Sequence, residues 1–100
     1  MAILKTYTKQ PADRLDYDFD YSQWLASDDE VISATFAIAT LDGSTPADPM
    51  DIDSSVVLPT YTKVWLVGGS AGEIYKVTCT VTTSRGRIKQ DEIKIRLKEY

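Results

Sequence analysis

Apolar and polar residues alternate one for one through most segments of this 100-residue chain. A period of two is the pattern of a β-strand with one buried face. In LDYDFD (15–20) the aspartates occupy every second position between Tyr17, Phe19 and Tyr21. In EVISATFAIAT (30–40), Ile32, Ala34, Phe36 and Ile38 share one face, opposite Val31, Ser33, Thr35 and Ala37. SSVVLP (54–59) and YTKVWLV (61–67) read as strands parted by Pro59, and EIYKVTCTVTT (73–83) sets Tyr75, Val77, Cys79 and Val81 against Lys76, Thr78, Thr80 and Thr82. The last strand, Arg87 to about Lys98, changes parity between Ile88 and Ile93, which predicts a bulge near Lys89 to Asp91. No segment holds a convincing helical period, although QDEIKIRLKEY (90–100) comes nearest.

Between these runs lie turn residues. LDGSTPADPMDID (41–53) carries Gly43, Pro46 and Pro49 among aspartates and reads as a long loop with at most a short strand inside it. Asp28-Asp29 marks a turn, GGSAG (68–72) a connection, and Ser84-Arg85-Gly86-Arg87 a tight reversal. Residues 1–14 form an extended N-terminal arm or an edge strand, and residues 15–100 a single domain. About seven short strands with regular turn signals predict an all-β fold, an immunoglobulin-like antiparallel β-sandwich. Tyr75 opens its strand just after a glycine corner, the place of the tyrosine whose hydroxyl bonds back to upstream backbone in such domains.

Histidine is absent, which removes the commonest general base and metal ligand. The single cysteine, Cys79, has no internal disulfide partner and falls at an inward position, as a buried inert thiol does. No apolar run approaches the ~20 residues of a membrane helix, and the start lacks a secretory signal pattern, so the chain reads as soluble and made in the cytosol. A net charge of −4 argues against a general nucleic-acid binder. The distribution is uneven: residues 1–60 hold three basic side chains against eleven carboxylates, and residues 61–100 hold eight against four. The simpler arrangement pairs acidic and basic strands within one sheet. The sharper one is a bipolar molecule whose acidic end meets the basic end of a neighbour.

The chemistry on offer is thin. Asp16, Asp18 and Asp20 fail the calcium-loop pattern, since Tyr21 and Ser27 stand where Gly and Glu are required, and alternate strand positions lie too far apart to enclose one ion. Asp48, Asp51 and Asp53 read as a solvated loop before a cation site. GGSAG lacks the Lys of a phosphate loop. The expectation is a non-enzyme with no cofactor and no metal. Trp65 lies out of phase with Val64 and Leu66; facing outward it would anchor a partner, facing inward it would be core. The candidate partner-contact residues are Asp42, Asp48, Met50, Asp51 and Asp53 in the loop, Trp65, and Lys94, Arg96 and Lys98 on the last strand.

Larger pieces carry a resemblance. LDYDFDYSQWL, the acidic turn with EVISA, KVWLVGGSAGEIYKVTCTVTTSRGR and the final IKIRL together resemble the small phage proteins called fibre–tail adaptors. The matching positions are Asp16, Tyr17, Asp20, Tyr21, Ser22, Trp24, Leu25, Val64, Trp65, Leu66, Gly68, Gly69, Tyr75, Val77, Thr82, Thr83, Ser84, Gly86 and Arg87. The chain departs from that pattern at Asp28-Asp29-Glu30, which lacks a glycine, at Phe36, where a tryptophan is frequent, and in its long middle loop. The resemblance implies an immunoglobulin-like virion protein of a tailed bacteriophage, placed in the tail or neck. It would connect the tail to fibres or adjacent ring proteins, as one of several copies in a homo-oligomeric ring, with no nucleic-acid or membrane partner. The alternative is an immunoglobulin-like module recognising carbohydrate or a host-surface receptor. Loss of residues 1–14 should cripple assembly under the first reading and spare sugar binding under the second.

Overall fold

A computed structural model describes residues 2–43, 45 and 47–99, with side chains from residue 5 onward. Pro46, one of the loop's turn residues, lies outside the described residues. Seven strands follow the alternating segments: β1 (Ala2–Lys9), β2 (Leu15–Asp20), β3 (Val31–Thr40), β4 (Met50–Val57), β5 (Tyr61–Gly68), β6 (Ile74–Thr83) and β7 (Ile88–Leu97). They form a four-stranded sheet in the order β1-β7-β6-β3 and a three-stranded sheet in the order β2-β5-β4. All pairings are antiparallel except β1 with β7, which run parallel. Immunoglobulin constant domains distribute strands A to G as ABED and CFG. Taken in chain order, β2 to β7 follow that division, and β1 has moved to the edge beside β7. No described helix is long and apolar enough to cross a membrane.

The core lies where the alternating faces meet. Phe19, Val64 and Leu66 from one sheet face Val77, Cys79, Val81, Ile93 and Ile95 from the other, and all are essentially inaccessible. Two parity expectations are corrected. The β6–β7 ladder runs from Ile74↔Arg96 to Thr82↔Ile88 without a shift, so β7 has no bulge near Lys89 to Asp91. Instead Ile88 points outward, 70% exposed, and the inward position is filled by Asp91, paired with Lys89 at 3.3 Å. The irregularity falls in β3, between Val31 and Ser33, which buries Val31 and turns Ile32 out to 56% exposure. The long loop is also shorter than its composition suggests, because β4 begins at Met50.

Residues 2–9 form β1, at the edge of the four-stranded sheet beside β7. Its last residue, Lys9, is 1% exposed, yet its ammonium donates to the carbonyls of Gly68 at 2.8 Å and Gln10 at 2.9 Å. Burial lowers its pKa, and the carbonyl oxygens replace the lost water. Gly68 sits at φ +75°, and a Cβ there would stand 2.9 Å from the Pro49 carbonyl oxygen, so the corner that receives Lys9 needs glycine.

The expected tyrosine bond is present. The Tyr75 hydroxyl donates to the Asp48 carbonyl at 2.9 Å and accepts from the Ser70 amide at 3.0 Å. Ser70 Oγ in turn accepts from the Asp48 amide at 2.8 Å and donates to its carbonyl at 3.1 Å. This pins the end of the 41–49 loop to the β5–β6 corner. Tyr75→Phe should therefore cost about 0.5–1.5 kcal/mol, because two part-buried backbone groups each lose one bond while the ring still packs. Urea denaturation of both proteins measures it; equal midpoints would remove the corner from the stability account.

Candidate functional site

The two outer faces of the sandwich carry opposite charge. On β2, Asp16, Asp18 and Asp20 face solvent opposite Trp65, Lys63 and Tyr61 of β5. Lys63 Nζ reaches Asp16 at 2.7 Å and Asp18 at 3.0 Å, and this bond holds the Asp16 carboxyl below the usual carboxylate range. Asp20 accepts the Ser22 amide at 2.9 Å, so the aspartates form the wet face of a strand. Arg14 lies with its guanidinium 4.3 Å from the Trp65 ring centre and its Nε 2.6 Å from Asp53 on β4. Trp65 therefore points outward, and an arginine covers it. With Asp51 also exposed on β4, this face holds five aspartates against Arg14 and Lys63.

The other sheet shows the reverse. Lys94 stands beside Lys76 on the outer side of β6–β7, with exposed Arg96 beside Ile74 and exposed Lys98 just past the strand. The rest of that surface is mostly small and polar, with Ser33, Thr35, Ala37 and Ala39 from β3 and Thr78, Thr80 and Thr82 from β6, but β7 adds the exposed Ile88, Gln90 and the largely covered carboxylate of Glu92. Acidic and basic strands thus lie on separate sheets instead of side by side in one. The reason is topological: acidic β2 and β4 both pair with β5, whereas basic β7 pairs with β6 and β1.

Of the candidate contacts, Asp42, Asp48, Asp51 and Asp53 are exposed in the loop and at the start of β4, and Lys94, Arg96 and Lys98 lie on the opposite face. Met50 is 3% exposed and belongs to the core. Sequence reasoning missed Arg14, Lys63 and Lys76. The parity of the alternating strands places Lys63 with Trp65 and Lys76 with Thr78, but Arg14 precedes its strand and gave no periodic signal. Among the described residues, no three carboxylate or thiol groups gather as metal ligands. Cys79 is buried, accepts the Tyr21 hydroxyl at 3.3 Å, and has its thiol pKa pushed up by burial.

At the far end, the S-R-G-R reversal is tied to the aspartate turn. The buried Asp29 carboxylate accepts from Ser84 Oγ at 2.8 Å, the Arg85 amide at 3.1 Å and the Glu30 amide at 3.0 Å, with Arg87 at 3.8 Å. Arg87 also stacks on Trp24 at 4.0 Å. Burial alone would raise the Asp29 pKa, but bonds from Ser84, Thr83 and the two amides outweigh it and hold it below its usual value. A depressed carboxylate pKa stabilises the fold above the unfolded value of about 3.9, and that contribution disappears as pH falls through the lower folded value. Asp29→Asn should flatten the acid limb of a stability–pH curve and lower Tm at neutral pH by on the order of 10 °C. An unchanged acid limb would show that other carboxylates govern it.

The positions that carried the resemblance are now explained by their places. Tyr75, Gly68, Ser84, Arg87 and Trp24 hold the two ends of the sandwich closed, and Tyr17, Tyr21, Val64, Leu66 and Val77 are core. Residues 9–96 match the family described as podophage GP4 fiber-tail adaptor protein gp77. The chain belongs to this family. As a member of the fibre–tail adaptor family it is a structural component of the phage tail, with the all-β fold that its alternation required. No curated protein matches the chain.

Proposed function

We propose that this fibre–tail adaptor works passively and without catalysis, in several copies around the tail axis. In this reading it joins the tail to fibres or to adjacent ring proteins, with no nucleic-acid or membrane partner. The segregation of charge onto opposite outer faces carries the proposal. The Asp16–Asp18–Asp20–Asp51 face of one copy meets the Lys76–Lys94–Arg96 face of the next. Such a head-to-tail contact uses two different patches, and it closes into a ring when the rotation between copies divides the circle. Opposed charge steers encounter and sets register. The 41–53 segment and the strand edges then face the other tail proteins, since loops fixed by a rigid scaffold are the common contact sites. A carbohydrate-recognising role finds less support, because Arg14 covers Trp65 and Arg87 covers Trp24, leaving neither ring as an open platform.

Reversal of the acidic face by Asp18→Lys with Asp51→Lys should reduce incorporation into particles at least about tenfold. Adding Lys76→Glu and Lys94→Glu to the same chain should restore it, as each face then meets its complement again. Immunogold labelling and quantitative mass spectrometry of purified particles read both results. Particles free of the chain, given an accessible epitope, would reject the tail assignment; incorporation indifferent to both reversals would reject the face-to-face contact.

A further inference from the structure

The sandwich is closed along one side and open along the other. Tyr7 of β1 packs on Tyr17 of β2 with ring centres 4.8 Å apart, sealing that side. On the opposite side β3 and β4 are the edge strands of their sheets. There the inward side chains Ala34, Phe36 and Ile38 are only half-buried, and Ile52 and Val57, although aligned with the buried Leu66 and Thr62, remain 37% and 39% exposed. The seam ends in a cavity of about 330 Å³ walled by Ile38, Thr40, Gly43, Pro49, Met50 and Tyr75, and the exposed Asp42 and Asp48 are the chain neighbours of its lining residues Gly43 and Pro49.

The β3 edge differs from the other three. β2 carries three aspartates, β4 two aspartates and a mid-strand irregularity, and β1 two lysines and an irregularity. β3, ten residues from Val31 to Thr40, has no charge and no proline, and its irregularity is confined to its first turn of pairing. Edges are ordinarily blocked by charges, prolines or bulges because their free amides and carbonyls template another strand. An unblocked edge above a half-exposed apolar row is therefore an acceptor for strand addition.

A second copy fits this acceptor poorly. Pairing β3 with β3 of another copy sets Asp42 beside Asp42 if parallel, or beside Glu30 if antiparallel. The β2 and β4 edges are acidic too, and β1 has its inward Tyr7 and Lys9 already committed to its own core. We propose that the seam takes an extended segment of a different polypeptide, added as a strand to β3. Its inward apolar side chains cover Phe36 and Ile52, one large apolar side chain fills the cavity, and a basic residue lies beside Asp42 and Asp48. The inference rests on the adaptor reading only in needing a protein partner.

Two measurements test it. In the first, the purified full chain is titrated with a synthetic nine-residue peptide of alternating valine and threonine, with a central phenylalanine and a terminal lysine. Amide exchange along β3 should slow at least tenfold, with weaker effect when glutamate replaces the lysine or Asp48→Lys is introduced. No slowing at saturating peptide, equal slowing by a peptide with alternate prolines, or slowing by raised protein concentration alone would overturn the proposal. In the second, a photo-crosslinking residue replaces the exposed, inward-facing Ser55, and crosslinks in purified particles are mapped to peptides. A crosslink to an alternating segment of another tail protein is expected. Crosslinks to this chain itself, or none in particles that contain it, would overturn strand addition while leaving the adaptor reading intact.

Discussion

Deleting residues 2–9 is expected to cost the chain its fold as well as its assembly. β1 pairs with β7 from Ala2↔Asp91 to Lys9↔Leu97, and the Lys98 amide donates to the Lys9 carbonyl at 3.0 Å. Without β1 the β7 backbone becomes an edge, and Ile93, Ile95 and Leu97, each at most 1% exposed, gain a path to water. The loss of the Lys9 ammonium also removes its hydrogen bond to the Gly68 carbonyl. Together these should remove on the order of 5 kcal/mol, comparable with the whole stability of a small domain. Circular dichroism during urea denaturation would show it, and a truncated chain melting within about 1 kcal/mol of the full one would contradict it. Loss of residues 1–14 therefore does not separate an assembly role from a sugar-binding role, since an integral strand is needed for either.

Phe19→Ala is expected to be the most damaging single substitution in the three-stranded sheet, at about 3–5 kcal/mol. Phe19 is fully buried on β2, aligned with Thr62, and its ring meets Phe36 of β3 at 6.1 Å between centres. Truncation would leave a void between the sheets next to the already open seam. Phe36→Ala, half-buried at the same contact, should cost less. Chemical denaturation of the two variants decides the order; a smaller loss at Phe19 would mean that β3 collapses inward to fill the space.

The strand segments were legible because alternation is a property of each segment alone. β2 and β6 match their expected faces residue for residue, and the Tyr75 bond follows from its place beside a glycine corner. The misreadings have a common cause. At Ile88 apolarity points the side chain inward, but the continuous ladder to β6 sends it to solvent and admits Asp91 with Lys89 beside it. At Ile32 the same assumption failed because a bulge lets Val31 take the buried place. Apolarity reports a preference, and ladder continuity can overrule it at a strand end where a single side chain is at stake. The proline and aspartates around Met50 mark it as a loop residue, yet it occupies the first inward position of β4.

The interaction surfaces divide the same way. That the chain had an acidic part and a basic part was plain from the order of residues, and so was the absence of histidine chemistry. That the two parts form opposite faces was decided by which strands pair, a matter of contacts between segments tens of residues apart. Alternation cannot tell which of two sheets a strand will join, because every strand presents the same kind of apolar face to the core. Only the assembled sandwich placed Trp65 outward beneath Arg14 and, among the described residues, left uncharged β3 paired on one side alone.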